Sequence, residues 1–66
     1  MIYKVTPYRR GLNARMEAPS IYVENVEGDS PLERTRYAIE KAKPLTRLSD
    51  FPEWRFKAAP VRNQNK

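Results

Sequence analysis

Glu27-Gly28-Asp29-Ser30-Pro31-Leu32-Glu33 decides the fold. It reads as a turn, a cap and the first turn of a helix. Ser30 has the short side-chain oxygen that accepts from the free N–H groups at a helix start. Pro31 suits the first helical position, where its missing N–H costs nothing. Glu33 stands three residues after Ser30 and completes a capping box. Leu32, Thr35, Ala38, Ile39, Ala42 and Leu45 follow at spacings of three and four, which defines one helical face. Glu33, Arg34, Glu40, Lys41 and Lys43 fall mostly opposite. Lys41 and Lys43 also favour the negative end of the helix dipole. Pro44 disfavours helical geometry at Lys43, so the helix is expected to end there.

Strand signals flank this helix. Ile2-Tyr3-Lys4-Val5-Thr6 and Ile21-Tyr22-Val23-Glu24-Asn25-Val26 are rich in β-branched and aromatic residues. Gly11-Leu12-Asn13 between them has turn chemistry. The second arm of this hairpin begins near Arg15 and is broken by Pro19. Pro7 and Pro19 remove ladder donors and belong at edges, bulges or ends. After a loop from Leu45 to Pro52, Glu53-Trp54-Arg55-Phe56-Lys57-Ala58 alternates with period two. Trp54, Phe56 and Ala58 face one way, while Arg55 and Lys57 face the other. That is a half-buried strand with a basic outer face, ended by Pro60. Arg62 to Lys66 has no apolar residue and reads as a disordered basic tail.

The predicted order is β-β-α-β. It gives an α+β fold in which one helix lies across one face of a three-stranded antiparallel sheet. Val5, Ile21, Val23, Leu32, Ile39, Ala42, Trp54 and Phe56 are the expected core. Residues 1–61 form a single domain. At 66 residues, such a domain buries only about 60% of its unfolded surface.

The composition excludes much chemistry. With neither Cys nor His, the chain has no disulfide, no thiolate ligand, no imidazole base and no thiol nucleophile. Ser20, Ser30 and Ser49 carry no nucleophile motif, and Gly11 and Gly28 stand alone rather than in a phosphate loop. Glu24, Glu27 and Asp29 cluster without the spacing of a calcium loop. A non-enzymatic protein without cofactor or metal is therefore expected. No apolar run is long enough to span a bilayer, and the N-terminus does not read as a signal peptide, so a cytoplasmic location is expected.

Charge carries the positive signal. The net charge is +5, and it is distributed in blocks. Residues 1–16 hold bases and no acid, residues 17–33 acids and no base, and residues 34–66 nine bases and three acids. Such a balance favours anionic partners. Folding also brings such blocks together as ordinary surface ion pairs. The candidate binding residues are Arg9 and Arg10 at the hairpin tip, Arg55 and Lys57 on the last strand, and Arg62 beyond it. Tyr3, Tyr8 and Tyr22 interleave aromatics with that charge, a pattern that grips single-stranded nucleic acid. Arg and Tyr equally dominate protein interfaces, and a sheet edge can add a strand from a partner. Two readings stand side by side: a regulator that binds a larger protein with an acidic surface, and a direct nucleic-acid binder.

Ser20-Ile21-Tyr22-Val23-Glu24, then the capped helix, then a basic strand and a Pro-containing basic tail, is similar to the small host RNA polymerase inhibitors of lytic podophages. The resemblance covers residues 20–66 and consists of an order of elements with a few identities. It implies a three-stranded sheet with one helix. It also implies a basic strip on the last strand that binds an acidic groove of the host polymerase in the host cytoplasm. Arg55, Lys57 and Arg62 fall where that strip would lie, and Glu24 falls on the second strand. The hairpin with Arg9 and Arg10, and the segment from Leu45 to Pro52, are longer here.

Overall fold

A computed structural model describes residues 1–11 and 14–62. The turn residues Leu12 and Asn13, and the tail from residue 63 onward, lie outside the described residues. The elements are β1 (Tyr3–Arg10), β2 (Arg15–Glu17), β3 (Ile21–Val23), α1 (Pro31–Ala42) and β4 (Arg55–Pro60). The α+β class and the β-β-α-β order are as the sequence predicts, with the second strand split in two.

All pairings are antiparallel and centre on β1. β4 runs along one side of it, from Tyr3 opposite Pro60 to Tyr8 opposite Arg55. β2 and β3 share the other side, with Tyr8 opposite Glu17 and Val5 opposite Ile21. These two registers differ by one residue. Paired residue numbers sum to 25 along β2 (8 + 17) and to 26 along β3 (5 + 21). One extra residue is therefore inserted at Pro19-Ser20, opposite Thr6, which is a β-bulge. The Thr6 and Ser20 hydroxyls bond across it at 2.8 Å. The bulge resets the alternation of side chains, so Ala18 and Ile21 both face the helix although they are three residues apart.

Pro7 lies inside the central strand beside the bulge, one of the places the sequence suggests for it. Its carbonyl accepts from Ala18 N–H at 3.0 Å, and its missing donor points toward the bulge. On the other side, Val61 N–H donates to Ile2 O at 2.9 Å. Ladder bonds alternate, so Pro7 falls at a non-bonded pair opposite Phe56. The strand thus accepts proline in its middle without losing a β4 bond.

The Ser30 hydroxyl accepts from Glu33 N–H at 3.2 Å and starts α1, as predicted. The Glu33 carboxylate reaches one residue further than a capping box requires and accepts from Asp29 N–H at 2.9 Å. Gly28 just before it has φ +153°, and a Cβ there would stand 2.9 Å from Arg34 N. Glycine is needed at that point for both conformation and space. Pro44 does not break the helical path at Lys43, which keeps φ −54° and ψ −46°. The chain instead tightens into a 3-10 turn over Lys43–Leu45, and a second follows over Arg47–Asp50.

The core holds Tyr3, Val5, Val23, Val26, Ala38 and Ala42, with Ile21, Tyr37, Ile39, Phe56 and Ala58 packed against it. Leu32 and Leu45 are not part of it, being 61% and 68% exposed. Two fully buried alanines bring the helix close to the sheet, and this turns Leu32 to the rim. Leu45 lies past the helix in the 3-10 turn. Trp54 is half-buried at the margin. Tyr3 is 2% exposed and belongs to the core, not to a binding surface. Its hydroxyl accepts from Arg34 Nε at 3.4 Å.

Candidate functional site

The helix covers only one face of the sheet. Strand alternation places Tyr3, Val5, Pro7, Ile21, Val23, Phe56 and Ala58 toward α1. The same alternation sends Lys4, Thr6, Tyr8 and Arg10 of β1, Arg15 and Glu17 of β2, Tyr22 of β3, and Arg55 and Lys57 of β4 to the opposite face. No element packs there among the described residues. Five bases and one acid therefore share one surface of the four-stranded sheet.

The centre of that face is organised around Tyr8. The Arg15 guanidinium lies 5.1 Å and the Lys57 ammonium 5.7 Å from the Tyr8 ring centroid. Lys57 reaches across β1 to Glu17 and donates to its carboxylate at 2.9 Å. The Lys57 hydrogen bond and charge, aided by Arg15 and Lys4, hold the Glu17 carboxyl below the ordinary glutamate range. Thr6 sits beside this group and is buried, bonded to Ser20. Tyr22 stands 58% exposed next to Lys4.

The predicted site residues separate. Arg55, Lys57 and Arg10 come together on the open face. Arg9 does not, because alternation turns it to the helix side. There its guanidinium lies 5.9 Å from the Trp54 ring and 3.8 Å from a Glu53 carboxylate oxygen. Arg62 and Glu24 are exposed near the other end of β1, beyond Pro60 and Val23. They do not join the cluster around Tyr8. Lys4, Arg15 and Glu17 were not singled out from the sequence as members of one site. Only the registers of β2 and β4 on β1 bring them together, and the bulge that sets the β2 register is marked in sequence by Pro19 alone.

Among the described residues no group of acidic side chains could hold a metal ion, and no helix is long and apolar enough to cross a membrane. No family model, no curated protein and no solved structure shows significant similarity to this chain.

Proposed function

We propose that this chain is a small non-enzymatic binding protein whose open sheet face docks on an acidic surface of a larger protein. The observation that carries the reading is the charge of that face. Lys4, Arg10, Arg15, Arg55 and Lys57 share it with a single acid, Glu17, which Lys57 already neutralises. Rigid strands hold these cations, which limits the ordering entropy lost on binding. Complementary charge raises on-rate and specificity for an acidic partner. The finer reading is a phage-type inhibitor of a host nucleic-acid machine, with RNA polymerase the first candidate. It rests on the sequence resemblance.

Direct nucleic-acid binding is the second reading, favoured by Tyr8 and Tyr22 on the same face. Base stacking needs an open ring. Arg15 and Lys57 already lie over Tyr8, so a base would have to displace a cation. That weighs toward a protein partner.

Affinity capture from bacterial lysate tests the proposal. The parent is compared with Arg55→Glu/Lys57→Glu and with Arg36→Glu/Arg47→Glu, an equal charge change on exposed residues of the helix and the following turn. The expected result is a protein retained by the parent and the second variant and lost with the first. Equal loss from both variants contradicts a localised site. A gel shift with oligonucleotides and no retained protein favours the second reading.

A further inference from the structure

A cavity of about 800 Å³ opens where the β1–β2 hairpin meets the start of β4. Arg9, Arg10, Arg15 and Arg55 line it, together with Tyr8 and Glu53. We propose that this cavity is a binding site for a phosphate monoester or diphosphate group. The inference goes beyond the docking reading and does not depend on it.

Three features support an anion there. First, four arginines and one glutamate line it, a net charge of three positive units. Second, Arg10 and Arg15 are direct cross-strand partners. Like charges placed opposite each other destabilise a hairpin unless a counter-charge lies between them. Third, the Nε of Arg9 is buried with no hydrogen-bond partner among the described residues. A buried unsatisfied donor is costly, and a ligand acceptor relieves it. Arg9 is also only weakly engaged by Glu53, at 3.8 Å.

Charge matching selects the ligand class. A single carboxylate brings one negative charge and leaves most of this set uncompensated. A phosphate monoester carries about −1.5 to −2 near neutrality and offers three strong acceptor oxygens. A diphosphate carries more in the same space. The planar fork of arginine matches phosphate oxygens bidentately, and all four cations lining the cavity are arginines. The cavity is polar rather than apolar, which suits a compact anion better than a greasy ligand.

The test is titration of the parent protein with inorganic pyrophosphate, read by calorimetry and by melting temperature, against sodium chloride at matched ionic strength. Adenosine diphosphate forms a second arm. The parent is expected to bind pyrophosphate saturably, with a rise in melting temperature that chloride does not reproduce. Arg10→Gln/Arg15→Gln is expected to bind at least tenfold more weakly. Arg36→Gln/Arg47→Gln, away from the cavity, is expected to bind like the parent. Without anion and at low salt, Arg10→Gln alone is expected to melt at or above the parent temperature, because it removes the like-charge pair. Arg55→Gln replaces the double variant if that variant does not fold. Equal affinity for pyrophosphate and adenosine diphosphate assigns recognition to the phosphates alone, and tighter binding of the nucleotide extends the site toward a nucleoside. Absence of saturable binding, or equal weakening in the cavity and control variants, overturns the proposal.

Discussion

Ser30 and Glu17 show how single side chains bear on this molecule. Ser30 accepts the Glu33 N–H that would otherwise lack a helix partner. Ser30→Ala is expected to cost about 0.5–2 kcal/mol, measured by urea denaturation. Ser30→Asp, which keeps an acceptor and favours the dipole, is expected to restore most of that loss. Glu17 tests the electrostatics of the open face. Its carboxyl titrates below the ordinary glutamate value chiefly because Lys57 bonds it. A carboxyl depressed in the folded state stabilises the fold above its unfolded pKa, and that contribution fades as pH falls through its folded pKa. Lys57→Met is therefore expected to move the Glu17 titration, followed by NMR, up toward the ordinary value. It is also expected to flatten the acid limb of the stability profile. An unchanged Glu17 titration in Lys57→Met would show that the cross-strand pair does not form in solution.

The bulge and the helix are the elements that arrange the two faces. Ile21 and Val23 reach the core because one extra residue is taken up opposite Thr6. Deleting Pro19 leaves a single residue, Ser20, opposite Thr6 and makes the two registers continuous. Both existing pairings survive, so the deletion is expected to fold. Its cost should stay well below the ~4–5 kcal/mol that marks loss of a core feature. Inserting one alanine after Ala18 adds a second extra residue, strains the bulge, and is expected to lower the melting temperature more than the deletion does. In α1 the buried alanines Ala38 and Ala42 set the helix-to-sheet distance. Ala38→Leu is expected to cost about 1–3 kcal/mol by overpacking. The cap, the helix limits and the alternation of β4 were legible in sequence because each is a local pattern of a few residues. The rotation of the helix was not. Leu32 looks like core by spacing alone, but the close approach of two alanines is a property of the packed pair. Tyr3 looked like a surface aromatic for the same reason, since only the helix above it decides that it is buried.

At the scale of the whole molecule, a helix on one face leaves the other free, and the charge blocks of the sequence meet there. Arg55 and Lys57 were visible as a basic strand face. Lys4, Arg15 and Glu17 were not visible as their neighbours, because cross-strand proximity depends on register. Some of the separated charges do pair across the fold, as Lys57–Glu17 and Arg9–Glu53, and these exposed pairs are worth little each. The bases left over concentrate on the open face. Its capacity to hold an acidic partner is the central claim. The most direct measurement is amide chemical-shift mapping on the ¹⁵N-labelled protein as an Asp/Glu-rich peptide is added at physiological salt. The account predicts that the shifts cluster at Lys4, Tyr8, Arg10, Arg15, Arg55 and Lys57, and that Arg36 and Glu40 of the helix stay unmoved. Shifts centred on α1, or spread evenly over every basic residue, would contradict it.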